Sequence, residues 1–119
     1  MNNLLDNLQN FTKVRVYQLE NKNQFVIEFI KPNNFSVICF QSYKTLISVY
    51  DCETKQMLIN WRYWDYSKTT MKHLKIFVNR FTYFDYVNKQ QFLCEIKNNS
   101  LIETFWKRKT KKKLLLALC

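Results

Sequence analysis

Ser67-Lys68-Thr69-Thr70-Met71-Lys72-His73-Leu74-Lys75-Ile76-Phe77-Val78-Asn79-Arg80-Phe81 is the stretch that decides the fold. Its apolar positions Met71, Leu74, Phe77, Val78 and Phe81 follow one another at steps of three, three, one and three. At 3.6 residues per turn they form one stripe, about 120° wide, that must face a core. Ser67, Thr69 and Thr70 supply hydroxyl oxygens for the orphan N–H groups of a first turn. The pattern predicts one main amphipathic helix over about residues 68–82. The side away from the stripe carries Lys68, Lys72, Lys75 and Asn79, with His73 and Arg80 on its surface flanks.

Working upstream, the period changes from 3.6 to 2. Residues 12–19 alternate, with Val14 and Val16 expected inward and Lys13, Arg15 and Tyr17 outward. Residues 24–31 and 35–40 read as the second and third strands. A fourth over 44–50 would turn Ile47 and Val49 inward. A fifth over 57–64 would set Met57, Ile59, Trp61 and Tyr63 on one face, with Trp64 and Tyr66 opposite them. The chain has no glycine and one proline, so its turns must use residues such as Asn21, Asn23, Asn33 and Asn34. Short strands joined by tight polar turns predict an antiparallel meander. Leu4, Leu5, Leu8 and Phe11 suit one or two helical turns at the start.

Downstream of Phe81 the signal weakens. Residues 88–97 lean towards helix, and 100–106 read equally as helix or strand. The expected fold is α+β: an antiparallel sheet of four or five strands with the helix packed on one face. Residues 1–106 form a single domain, followed by a basic, leucine-ended tail over 107–119.

The formal net charge is +10. The tail run Lys107-Arg108-Lys109-Thr110-Lys111-Lys112-Lys113 holds six of the 19 basic residues, which leaves a net +4 for the rest of the chain. Such a surplus suits nucleic acid, acidic protein or anionic lipid. The helix adds to it, because residues 67–84 contain no Asp or Glu. Lys68 and Lys72 repel each other at i,i+4, a small cost that an anionic partner would reverse. The plainer reading is a solvated helix and a solvated tail. Trp64 and Tyr66, read as exposed aromatics beside that helix, would suit an unpaired base or a protein hot spot; packing into the core is the plainer alternative for Trp64.

Catalytic constellations are missing from the sequence. His73 is the only histidine, and the nine acidic residues are scattered. No spacing of His, Cys, Asp or Glu suggests a metal, and a glycine-free chain cannot form a glycine-rich phosphate loop. Neither a cofactor nor enzymatic activity is expected. The four cysteines make no C-x-x-C pair, no signal peptide is read at the start, and no apolar run nears the roughly 20 residues that span a bilayer. A reducing, cytoplasmic setting is the expectation.

Ser42-Tyr43-x-Thr45, followed by Tyr66-Ser67-Lys68-Thr69-Thr70-x-Lys72-His73-Leu74-x-x-Phe77, resembles the core of a small uncharacterised family from phages and conjugative elements of Gram-positive bacteria. The resemblance spans roughly residues 35–81. It implies an α+β core and a mobile-element origin, with Lys72 and His73 on a recurring contact surface; it implies no activity. The leading expectation is a small non-enzymatic protein that binds nucleic acid or a nucleoprotein. Its surface would join Lys68, Lys72, His73, Lys75 and Arg80 to Trp64, Tyr66 and the basic tail. The rivals are a protein-directed inhibitor of a host defence nuclease, of the anti-CRISPR kind, and a peripheral membrane adaptor held by the tail.

Overall fold

The computed structural model describes residues 11–105. The expected N-terminal turn at Leu4, Leu5 and Leu8 and the tail over 107–119 lie outside these residues. Six strands form one sheet in chain order: β1 (Lys13–Gln18), β2 (Gln24–Ile30), β3 (Ser36–Ser42), β4 (Thr45–Asp51), β5 (Met57–Asn60) and β6 (Ile102–Phe105). The first five are an antiparallel meander, as expected. The sixth pairs parallel to β5, so the sheet is mixed and larger than expected. A parallel neighbour requires a long crossover. Two helices supply it: α1 (Lys68–Phe81) and α2 (Lys89–Asn98). β6 escaped the sequence reading because only four residues pair, and their partner strand is remote in the chain.

Strand alternation gives the sheet two apolar faces. Val26, Ile38, Phe40, Tyr50, Met57 and Ile59 share a core with Leu74, Phe77 and Val78 of α1 and with Phe92, Leu93 and Ile96 of α2. Phe40 stacks on Phe77 with ring centroids 5.7 Å apart. Each fully buried large apolar side chain here contributes roughly 1.5–3 kcal/mol. On the other face Val37, Cys39, Val49 and Leu58 cluster, with Ile27, Phe29, Leu46 and Phe105 against them. Burial there pushes the Cys39 thiol up to about 12, so it serves as a small hydrophobe.

Two expectations about these faces fail. Ile47 and Val49 are both buried but belong to different clusters. The register slips between Phe40 and Gln41: Phe40 faces Ser48 while Gln41 faces Leu46, which makes Ile47 the extra residue of a bulge. Val14 and Val16 are 42% and 62% exposed rather than inward. β1 is an edge strand that pairs with β2 alone among the described residues. Tyr17 meets Phe81 of α1, whereas Val14 and Val16 lie opposite Phe29 and Ile27, on the face away from the helices.

Turn chemistry follows from the missing glycine. Glu20, Asn34, Tyr43 and Lys55 take positive φ values of 55° to 68°, a conformation that costs an ordinary L-residue about 1–2 kcal/mol. Only one of the four is Asn, the residue best suited to it.

The helix ends are well satisfied. Ser67, in extended backbone, accepts a hydrogen bond from the Thr70 amide and caps α1. At the other end Thr82 donates its hydroxyl to the Val78 carbonyl at 2.7 Å. Asn88 caps α2 through the Gln91 amide, and Asn99 closes it. The helix expected over 68–82 therefore stops at Phe81, and the leaning towards helix over 88–97 matches α2. The aromatic loop between the helices is pinned by Asn79, which donates to the Tyr86 carbonyl and accepts from the Tyr86 amide, each at 2.8 Å.

Candidate functional site

β5 stops at Asn60, not at Trp64. Asn60 is fully buried. Its side-chain amide donates to the Leu46 carbonyl at 2.8 Å, and its side-chain oxygen accepts from the Arg62 and Tyr63 amides. Its backbone carbonyl takes the Trp64 amide at 3.0 Å. This turn replaces alternation, so Trp61 and Trp64 both point into the core, 2% and 0% exposed. Trp64 meets Phe92 of α2 edge-on, centroids 5.7 Å apart. The expectation of Trp64 as an exposed contact residue is corrected: a tight turn, unlike a strand, can bury residues three apart. Tyr66 behaves as expected, 72% exposed, with its ring edge-on to Tyr63.

His73 is also corrected. It lies on the buried side of α1, 3% exposed, and donates its Nδ1–H to the Thr69 carbonyl at 2.8 Å. The buried stripe of α1 widens at its N-terminal half to include Thr70 and His73, because the strand end beneath it is polar. Ser42 of β3 shares a hydrogen bond with the Thr70 hydroxyl at 3.2 Å, and the Ser67 hydroxyl also donates to Thr70. Across β2 from Ser42 sits Gln24, 1% exposed, whose side-chain oxygen has no partner among the described residues.

This polar seam opens into a cleft of about 270 Å³. Ser42, Tyr43 and Thr45 line it from the β3–β4 turn, Tyr63 and Tyr66 from the segment after β5, and Thr70 from α1. The bulged Ile47 adds apolar surface. Tyr43 owes its place to its positive φ of 55° and to its amide, which donates to the Asn23 carbonyl at 2.7 Å. The two short motifs at Ser42–Thr45 and Tyr66–Thr70 thus meet in space. Strand alternation over 57–64 puts Tyr63 on a strand face, and nothing in the sequence shows that the two motifs meet.

On the side away from Thr70, α1 carries Lys68, Lys72 and Lys75, all exposed. Successive helical turns place them on one row about 10 Å long. None of the three has an ion-pair partner among the described residues. Lys13, Lys22, Lys44, Lys55, Arg62 and Lys97 likewise have no ion pair among the described residues, whereas four other cations do. Arg15 pairs with Glu28, Lys31 with Asp51 and Glu53, Lys89 with Asp65, and Arg80 with Glu20 at 2.7 Å. The Arg80 hydrogen bond, and its charge, hold the Glu20 carboxyl below its usual range, with smaller help from His73 and Lys72. Arg80, expected as a free contact residue, is therefore a neutralised one. At Lys31 burial alone would depress the ammonium, but Glu53 and Asp51 outweigh it and hold it raised. Lys107, Arg108, Lys109, Lys111, Lys112 and Lys113 lie outside the described residues.

Among the described residues no three His, Cys, Asp or Glu side chains gather where a metal ion could sit, and no helix is long and apolar enough to cross a membrane. Comparison with known families matches residues 5–94, most of the chain. The chain belongs to DUF8033, a family of unknown function. The match covers the whole meander, the cleft and both lysine-bearing turns of α1. No curated protein and no solved structure matches the chain.

Proposed function

We propose that this DUF8033 member is a small non-enzymatic protein of a mobile genetic element, acting in the cytoplasm of the host cell, that binds nucleic acid or a nucleoprotein through α1. The observation that carries this reading is the row Lys68, Lys72 and Lys75: three like charges on one exposed helix face, in a stretch without Asp or Glu and with no ion-pair partner among the described residues. Like charges along one helix face cost stability, and phosphates would convert that cost into binding energy. The row is sized for a nucleic-acid strand: a duplex strand offers one phosphate about every 3.4 Å of axis. Trp64 and His73 leave the proposed surface because both are buried, and Arg80 contributes only after exchanging Glu20 for a phosphate. The basic run over 107–113 adds charge to the same chain.

Binding to DNA and RNA is expected at low salt and to weaken steeply as salt rises. Lys68→Ala, Lys72→Ala and Lys75→Ala together should lower the magnitude of the log-affinity against log-salt slope by about two to three. The helix itself should be unharmed, since the substitutions remove repulsion and place a strong helix former at each position. Fluorescence anisotropy across a salt series measures this. An unchanged slope in the triple variant means that α1 touches no phosphate.

The rival reading, an inhibitor directed at a host nuclease, draws on the exposed Tyr43 and Tyr66, since aromatics anchor protein interfaces. Pull-down from host lysate with and without nuclease treatment separates the two: a nuclease-resistant protein partner favours the inhibitor.

A further inference from the structure

The lysine row explains attraction to phosphate but not what the cleft at its end is for. Three features of that cleft point the same way. It has aromatic walls, with Tyr43 and Tyr66 56% and 72% exposed although neither is needed to fill the core. It has hydroxyls from Ser42, Thr45 and Thr70 among its lining, groups that both donate and accept. It carries no charge of its own on any lining residue. A flat, uncharged ring with a polar edge matches this combination: its face meets a tyrosine ring while its edge meets hydroxyls. An anion would find no cation inside, and an aliphatic ligand would leave unused the hydrogen-bonding capacity that Ser42 and Thr70 keep beyond their mutual bond and that Thr45 offers.

Position supplies the second half of the argument. Tyr66, an exposed wall of the cleft, precedes Lys68 by two residues, so the lysine row begins within about 7 Å of chain of that ring, although the lysines lie on the side of α1 away from Thr70. A strand whose phosphates follow Lys68, Lys72 and Lys75 would bring its terminal base within reach of Tyr66. A duplex keeps its bases stacked and paired, out of reach of such a recess, whereas single-stranded recognition relies on aromatic platforms beside a basic track.

We infer that the cleft between the β3–β4 turn and the start of α1 takes an unpaired nucleobase, which makes single-stranded nucleic acid the ligand of the α1 face. The inference rests on the nucleic-acid reading above and sharpens it. Tyr43 and Tyr66 provide the stacking surfaces, and Ser42, Thr45 and Thr70 meet the base edge. Three hydroxyls that can each donate or accept suit several bases, so weak sequence preference is expected.

Backbone geometry offers a clean test. Tyr43 sits at φ 55°, a conformation glycine adopts freely. Tyr43→Gly therefore removes the ring and keeps the turn. Tyr66→Ala removes a mostly exposed ring, and a thermal melt of each variant confirms that the fold stands. The probes are a short fluorescein-labelled oligothymidylate, an oligouridylate of the same length, an all-abasic strand of the same length and the corresponding duplex. The thymidylate should bind at least about five-fold tighter than the abasic strand, and tighter than the duplex. Each tyrosine variant should weaken thymidylate binding by at least about five-fold and leave the salt slope and the abasic affinity unchanged. The uridylate arm tells RNA from DNA. Equal affinity for thymidylate and abasic strands, or tyrosine variants that bind like the parent, would overturn the cleft as a base site and leave the lysine interface standing. Absence of binding to every probe at low salt overturns both.

Discussion

Trp64→Ala is expected to cost about 3–5 kcal/mol of folding stability, the usual range for deleting a large aromatic from a packed core. Trp64 is 0% exposed and sits where three parts of the molecule meet. Its amide is tied to Asn60, its ring meets Phe92 of α2, and the following Asp65 pairs with Lys89 at the start of α2. Truncation opens a cavity between the turn and α2 that neither can fill without moving the other. A domain of this size has about 5–15 kcal/mol in total, so the variant should stand near the edge of folding at room temperature. Urea unfolding followed by circular dichroism measures the loss. A change below about 1 kcal/mol would mean that α2 is held without Trp64, contrary to its position here.

Asn60→Ala is the second large expected effect, about 3 kcal/mol, from lost hydrogen bonds rather than lost volume. The side chain serves three backbone groups at once: the Leu46 carbonyl and the Arg62 and Tyr63 amides. Alanine leaves the Leu46 carbonyl without this donor and the two amides without their shared acceptor. Of the three groups the Arg62 amide recovers water most easily, because Arg62 is exposed while Leu46 and Tyr63 are half-buried. The effect should reach beyond stability, since this turn aims Tyr63 and Tyr66 at the cleft. Urea unfolding gives the stability term, and nucleic-acid titration of the folded fraction gives the second. Stability within about 0.5 kcal/mol of the parent would show that β5 ends without needing its side-chain cap.

How much of this was legible depends on the range of each interaction. α1 could be read from residues 67–81 because cap, stripe and length all lie within one short window. The meander could be read for the same reason, each strand lying next to its neighbour. β6 could not, since Ile102, Glu103, Thr104 and Phe105 find their register on β5 only after two helices have intervened. Trp64 was placed on the wrong side by carrying alternation past Asn60, although an asparagine closing an apolar run is itself a stop signal. His73 is not legible from the apolar members of the helix face, because its burial depends on polar pairing: Thr70 is buried against Ser42, and the His73 Nδ1–H is satisfied by the Thr69 carbonyl. The cleft required knowing that the turn at Tyr43 lies against the start of α1. In the sequence its residues stand out only as two separate short motifs.

The parallel pairing of β6 also sets an order of events. β1 to β5 can form as the chain emerges from the ribosome, since each strand meets its neighbour within a few residues. β5 then waits, with its outer side open, until α1 and α2 have been made and residues 102–105 arrive. Through that interval Met57, Leu58, Ile59 and Asn60 present an unpaired apolar edge, the kind that invites association between nascent chains. β6 is thus both the last strand to join and the seal on a surface that is hazardous while open, whereas β1, exposed along its whole length, is the strand of the native molecule expected to exchange its amides first.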